Sequence, residues 1–144
     1  MATTTLYNKF KLYMGDGTID MDNDQFKIAL MDSNHSYVST HSDWSQVSAN
    51  EISGGNGYST GGKVLTNVTW TESGGTVVFD ADDVTWTATG GALGPARYAV
   101  IYDDTAANDR LVCSIDFETN QTAGEGTDFK IAFNSNGILR VSGS

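Results

Sequence analysis

The chain has 144 residues, 39% of them hydrophobic, a net charge of −10 from 18 acidic and 8 basic residues, and one cysteine. It is long enough to fold as a single domain, and no apolar run approaches the roughly 20 residues that a bilayer span requires. Acidity with scattered Lys and Arg argues against nucleic-acid binding, because phosphates need clustered cations, and one cysteine excludes an internal disulfide.

No basic region followed by an apolar stretch stands at the N-terminus, so no secretory signal is expected. Residues 1–4 read as a mobile arm. Leu6, Tyr7, Phe10, Tyr13 and Met14 recur at spacings of three and four, which predicts a short helix over residues 5–14. Thr5 would cap its start and Gly15 would end it. This helix either packs on a sheet or docks on a partner. Asp20, Asp22 and Asp24 have the spacing of a calcium loop, but Gln25 and Met31 stand where its turn glycine and bidentate glutamate belong. A solvated turn is the better reading.

Residues 25–32 alternate, with Phe26, Ile28 and Leu30 on one face, and predict a strand. Residues 33–62 form a long region rich in Ser, Asn and Gly, within which Ser42 or Asp43 could cap a helical turn around Trp44. Long irregular loops are often functional. Tyr37, Trp44 and Tyr58 are therefore candidate interface anchors, unless they fold back onto the domain. His35 and His41 read as exposed loop residues, since their spacing suits no helical metal pair. The glycines of residues 54–62 lack the Lys-Ser/Thr ending of a phosphate loop and serve turns instead.

Strands follow at residues 63–71, 76–79 and 84–89. Between the last two, three aspartates in residues 80–83 read as turn chemistry, because no base or second carboxylate cluster is paired with them. After a loop holding Pro95, residues 97–102 and 110–117 predict a central antiparallel hairpin, with Cys113 a buried thiol. Residues 119–126 read as a loop. Residues 128–133 and 138–141 read as a closing hairpin about the Asn-Gly turn at 134–137. The sum is a mainly-β single domain of about eight strands, an antiparallel β-sandwich or small barrel with one N-terminal helix.

The chain resembles a family of small structural proteins of tailed-bacteriophage virions. The likeness runs through LYNKF, GTIDMDNDQFKIALMDS, YSTGGKVLTNVTW and NGILRV, and is most specific in ADDVTW followed by AVIYDDT. It implies a virion location and no catalytic role. The leading expectation is a capsid decoration, or cement, protein that bridges subunits of the major capsid protein as a homotrimer. A minor tail, baseplate or fibre-adaptor protein is the alternative. A carbohydrate-binding module with Trp44, Tyr58 and Trp70 as stacking platforms is a third. No cofactor, metal, membrane or nucleic-acid partner is expected, and no enzyme activity. The expected interface comprises Thr3, Thr4, Thr5 and Leu6 with Tyr37, Trp44 and Tyr58.

Overall fold

The computed structural model describes residues 2–143. Ten strands and one α-helix appear among them: β1 (Thr3–Leu6), α1 (Asn8–Asp16), β2 (Phe26–Met31), β3 (Lys63–Val64), β4 (Thr69–Ser73), β5 (Thr76–Asp80), β6 (Val84–Thr87), β7 (Leu93–Asp103), β8 (Arg110–Ala123), β9 (Asp128–Ile131) and β10 (Leu139–Ser142). The main sheet has the order β1-β8-β7-β2-β3, and every pairing in it is antiparallel.

The centre of that sheet is apolar on both faces because both are covered. Phe26, Ile28 and Leu30 lie opposite Asp103, Ile101 and Ala99 and face the second layer, where Phe26 meets Phe79 edge to face at 5.0 Å. Ala29 and Met31 face the other way, yet they too are fully buried. The helix and the 33–52 segment cover them: Phe10 and Val47 are buried, and Trp44 stacks on Tyr102 at 4.5 Å.

Three smaller strand pairings reduce to one second layer. Residues 76–87 pair twice with residues 128–142, β5 with β10 and β6 with β9, both antiparallel. These are two stretches of one interrupted ladder. Between them, the Asn134 to Gly137 turn loops out, closed by Gly137 N–H donating to the Asn134 carbonyl at 2.9 Å. β4 completes the layer through a tight hairpin whose Gly74 and Gly75 both have positive φ, as a two-residue turn of primed type requires. The fold is therefore sandwich-like and mainly β, with no closed barrel.

Several boundaries differ from the sequence reading. Thr3 and Thr4 are not a mobile arm, and Thr5 and Leu6 are not helical: all four pair with β8 residues 113–116. β-branched threonines beside an open strand edge gain ladder hydrogen bonds that a helix starting at Thr5 would forgo. The helix starts after Tyr7, with no side-chain cap, and ends at Gly17 (φ 88°) instead of Gly15. The strand expected over 63–71 breaks at Asn67 (φ 51°) into β3 and β4. Pro95 lies within β7, at a cis peptide where the register shifts, a place where a strand tolerates proline. The expected 119–126 loop is mostly the exposed polar end of β8. The closing segments do not form a hairpin with each other; both continue along residues 76–87, whose two strands offer a longer ladder than a hairpin would.

The 33–62 region is pinned rather than free. Gln46 Oε1 accepts from the Ser42 and Asp43 N–H groups and closes the short helical turn Trp44–Gln46, as a capping box does. Glu51 Oε2 accepts from the Tyr58 hydroxyl at 2.6 Å and from Gly61 N–H at 2.7 Å. Gly62 (φ 86°) lies so close to β2 that a Cβ there would sit 2.0 Å from the Ile28 carbonyl oxygen. We expect Gly62→Ala to destabilise the fold by about 3 kcal/mol, from positive φ and overpacking together. Gly15→Ala, inside α1 with open space around it, should instead gain about 0.5–1 kcal/mol. Chemical denaturation of the two variants checks the opposite signs.

Candidate functional site

The expected aromatic anchors are drawn into the fold. Tyr58 is buried; its hydroxyl accepts from Leu30 N–H at 3.0 Å and donates to Glu51. Tyr37 is half-buried, donates its hydroxyl to the Leu6 carbonyl and lies 5.0 Å from the Tyr7 ring. Trp44 is half-buried with one face taken by Tyr102. Tyr58 cannot meet a partner at all, and Tyr37 and Trp44 serve first to clamp their segment onto the main sheet. Thr3, Thr4 and Thr5 are exposed along an edge strand and Leu6 is half-buried, so the threonines are the most open part of the expected interface.

The acidic clusters are turn chemistry. Asp20 Oδ1 accepts from the N–H groups of Asp22 and Asn23, and Asp24 Oδ2 accepts from Asp20 N–H. Asp82 accepts from Asn67, and Asp83 from Phe133 N–H across the interrupted ladder. Among the described residues, no group of three or more His, Cys, Asp or Glu side chains is placed to hold a metal ion. Cys113 is fully buried, and burial pushes its thiol well above the ordinary range, so it is poorly reactive.

Two buried polar groups escaped the sequence reading. His35 is not an exposed loop residue: it is 2% exposed, its Nε2 lies 3.2 Å from Ser114 Oγ, and its ring meets Tyr98 edge to face at 5.0 Å. A serine beside a histidine resembles a nucleophile and its base. Here, however, Ser114 is buried in mid-strand between β1 and β7, and no carboxylate meets His35 Nδ1. This is a core hydrogen bond with no room for a substrate. Asp103 is the other: fully buried, with Oδ1 accepting from the N–H groups of Thr105 and Ala106. Burial, and then the neighbouring Asp24 carboxyl, raise its pKa to about 7. No sequence periodicity marks either group: His35 acquires Ser114 and Tyr98 from distant strands, and Asp103, bonded to the N–H groups just after it, is buried where β7 pairs with β2.

A groove of about 1060 Å³ runs between the β1 and β8 side of the main sheet and the β9–β10 side of the second layer. Its floor includes Ile115, Phe117, Phe129, Ile131 and Leu139. A second, smaller cleft of about 270 Å³ is bordered by Trp70, Met14, Asp20 and Asp22. Of the three aromatic platforms considered for sugar stacking, Trp70 borders this smaller cleft.

The two buried titratable groups give opposite pH dependences. Asp103 binds its proton more tightly in the folded state than at the ordinary 3.8, so stability is lost as pH rises from about 4 to about 7. Burial lowers the His35 pKa below 6.5, so its contribution is present above pH 6.5 and is lost as pH falls. Denaturation midpoints measured from pH 4 to 8 should show Asp103→Asn gaining on the parent toward pH 8, and His35→Gln losing the acid-side decline. No family model matches this chain, nor does any curated protein or solved structure.

Proposed function

We propose that the chain is a structural protein of a tailed-phage virion, acting as a capsid decoration protein on the outer head surface. The observation that carries this reading is one flank on which the outer edges of β1 and of the β9–β10 segment border a groove floored by Ile115, Phe117, Phe129, Ile131 and Leu139. That is the anatomy of an assembly part. The sequence resemblance points the same way, through ADDVTW and AVIYDDT. The mechanism is mechanical. A rigid β domain bridges neighbouring subunits of the major capsid protein, and the buried interface resists outward pressure from packaged DNA. Net charge −10 favours docking on a basic surface of that partner and disfavours contact with nucleic acid. No catalytic step, cofactor or membrane forms part of this reading.

The alternatives separate by number and by ligand. A minor tail, baseplate or fibre-adaptor protein would be present in a dozen copies or fewer per virion, whereas decoration requires hundreds. A carbohydrate-binding module would use Trp70 and its small cleft, and would select host polysaccharide on a glycan array. Quantitative mass spectrometry of purified virions is expected to give the chain at a copy number comparable with that of the major capsid protein. Purified chain should also bind expanded heads that lack tails. Failure to bind such heads overturns decoration.

A further inference from the structure

The connection between α1 and β2, residues 17–25, places Ile19 and Met21 in the core. The hydrogen bonds of its acidic part are its own. Asp20 accepts from the N–H groups of Asp22 and Asn23 through its carboxylate and from Asp24 N–H through its carbonyl, and Asp24 Oδ2 accepts from Asp20 N–H. Gln25 stitches the connection to the end of β7. Its carbonyl accepts from Asp104 N–H at 2.8 Å, its N–H donates to Thr105 Oγ1 at 2.8 Å, and its side-chain amide donates to Asp104 Oδ2 at 2.9 Å. That stitch brings the Asp24 carboxyl against Asp103, the last residue of β7.

Asp103 is fully buried. Its Oδ1 has two N–H donors, and among the described residues its Oδ2 has none. Two ionised carboxylates are acceptors only and repel, whereas one proton between them makes a charge-assisted O–H···O bond. The cations near this end are engaged elsewhere. On β2, Lys27 pairs with Asp104 at 3.8 Å. On β8, Arg110 lies opposite Asp103 in the ladder but pairs with Asp43 and covers the Tyr13 ring. The remaining charges here are acidic: Asp104 and Asp109 in the β7–β8 turn, Asp20 and Asp22 in the connection.

We propose that Asp24 and Asp103 share one proton, and that this proton latches the 17–25 connection to the end of β7. While it is held, a single hydrogen bond joins the two carboxyls. When it passes to solvent, two like charges face each other in a buried site, the connection lifts, and Ile19 and Met21 are bared. The folded pair holds its proton more tightly than a free aspartate does, so the latch is complete below about pH 4 and is lost as pH rises to about 7. The device does not depend on the virion reading.

Two measurements on the full chain test it. In a carboxyl-carbon NMR titration, the Asp24 and Asp103 signals should move together in shared steps, one of them near neutral pH. Amide hydrogen exchange, corrected for its intrinsic pH dependence, should accelerate in residues 19–25 relative to β7 and β8 by at least about tenfold between pH 4 and pH 8. Asp24→Asn keeps an oxygen for Asp20 N–H and offers Asp103 a neutral donor. It should move the Asp103 titration to lower pH by about one unit and reduce the acceleration. Asp103→Asn should abolish the acceleration. Independent titration of the two carboxyls below pH 5 overturns the proposal. So does exchange in 19–25 that keeps a constant ratio to β7 and β8, or an Asp103 titration that Asp24→Asn leaves unmoved.

Discussion

The long ladder between β7 and β8 is the constraint on which the rest of the molecule depends. It runs from Asp103 opposite Arg110 to Leu93 opposite Ala123. Because Val100, Ile101, Val112, Cys113 and their neighbours are buried from both sides, the ladder is the mid-plane of three layers. Second-layer strands cover one face. On the other lie α1 and the 33–52 segment, held by Phe10, Val47, Trp44 and His35. Fully burying each large side chain contributes about 1.5–3 kcal/mol, so covering both faces of these two strands is the main source of cohesion. The exposed far end of β8 loses that support and pairs through bulges.

A segment rich in Ser, Asn and Gly thus becomes part of the interior packing. Its regular hydrogen bonds are few, and it is held instead by side chains that reach across: Glu51 to Tyr58 and Gly61, Tyr102 to the Gly61 carbonyl, and Tyr37 to the Leu6 carbonyl. Arg110 pairs with Asp43 and lies 4.7 Å from the Tyr13 ring, joining β8, this segment and the helix at one point. The aromatic residues that would make attractive binding anchors are those that fix the segment.

Much of this was legible in the sequence. Alternation in residues 84–89 reflects one buried face, residues 25–32 and 110–117 alternate although both their faces are largely buried, and the run 97–102 reads as central because both its faces are apolar. The Trp44 turn was legible from its cap, and the aspartate clusters from what they lack: Gln25 and Met31 stand where a calcium loop needs Gly and Glu, and nothing in the sequence pairs a base with residues 80–83. Less legible were features set by distant neighbours. Thr3 to Leu6 pair because β8 has an edge available there, which no local pattern announces. The Asn134 to Gly137 turn has the chemistry of a hairpin turn, yet the partner strands for both its arms come from residues 76–87. His35 looks like any loop histidine until Ser114 and Tyr98 close over it. The groove could not be read at all, since its walls come from β1, β8, β9 and β10, and only their juxtaposition creates it.

The β4–β5 turn has a use of a different kind. Gly74 and Gly75 sit at the tip of a hairpin in the edge pair of the second layer, and added side-chain atoms there would meet nothing within 4 Å. Exposed hairpin tips of this sort tolerate insertions. A fluorophore site or displayed peptide placed between these two glycines would enter open space, which makes this turn the natural handle for labelling the protein or for carrying a foreign sequence on its surface.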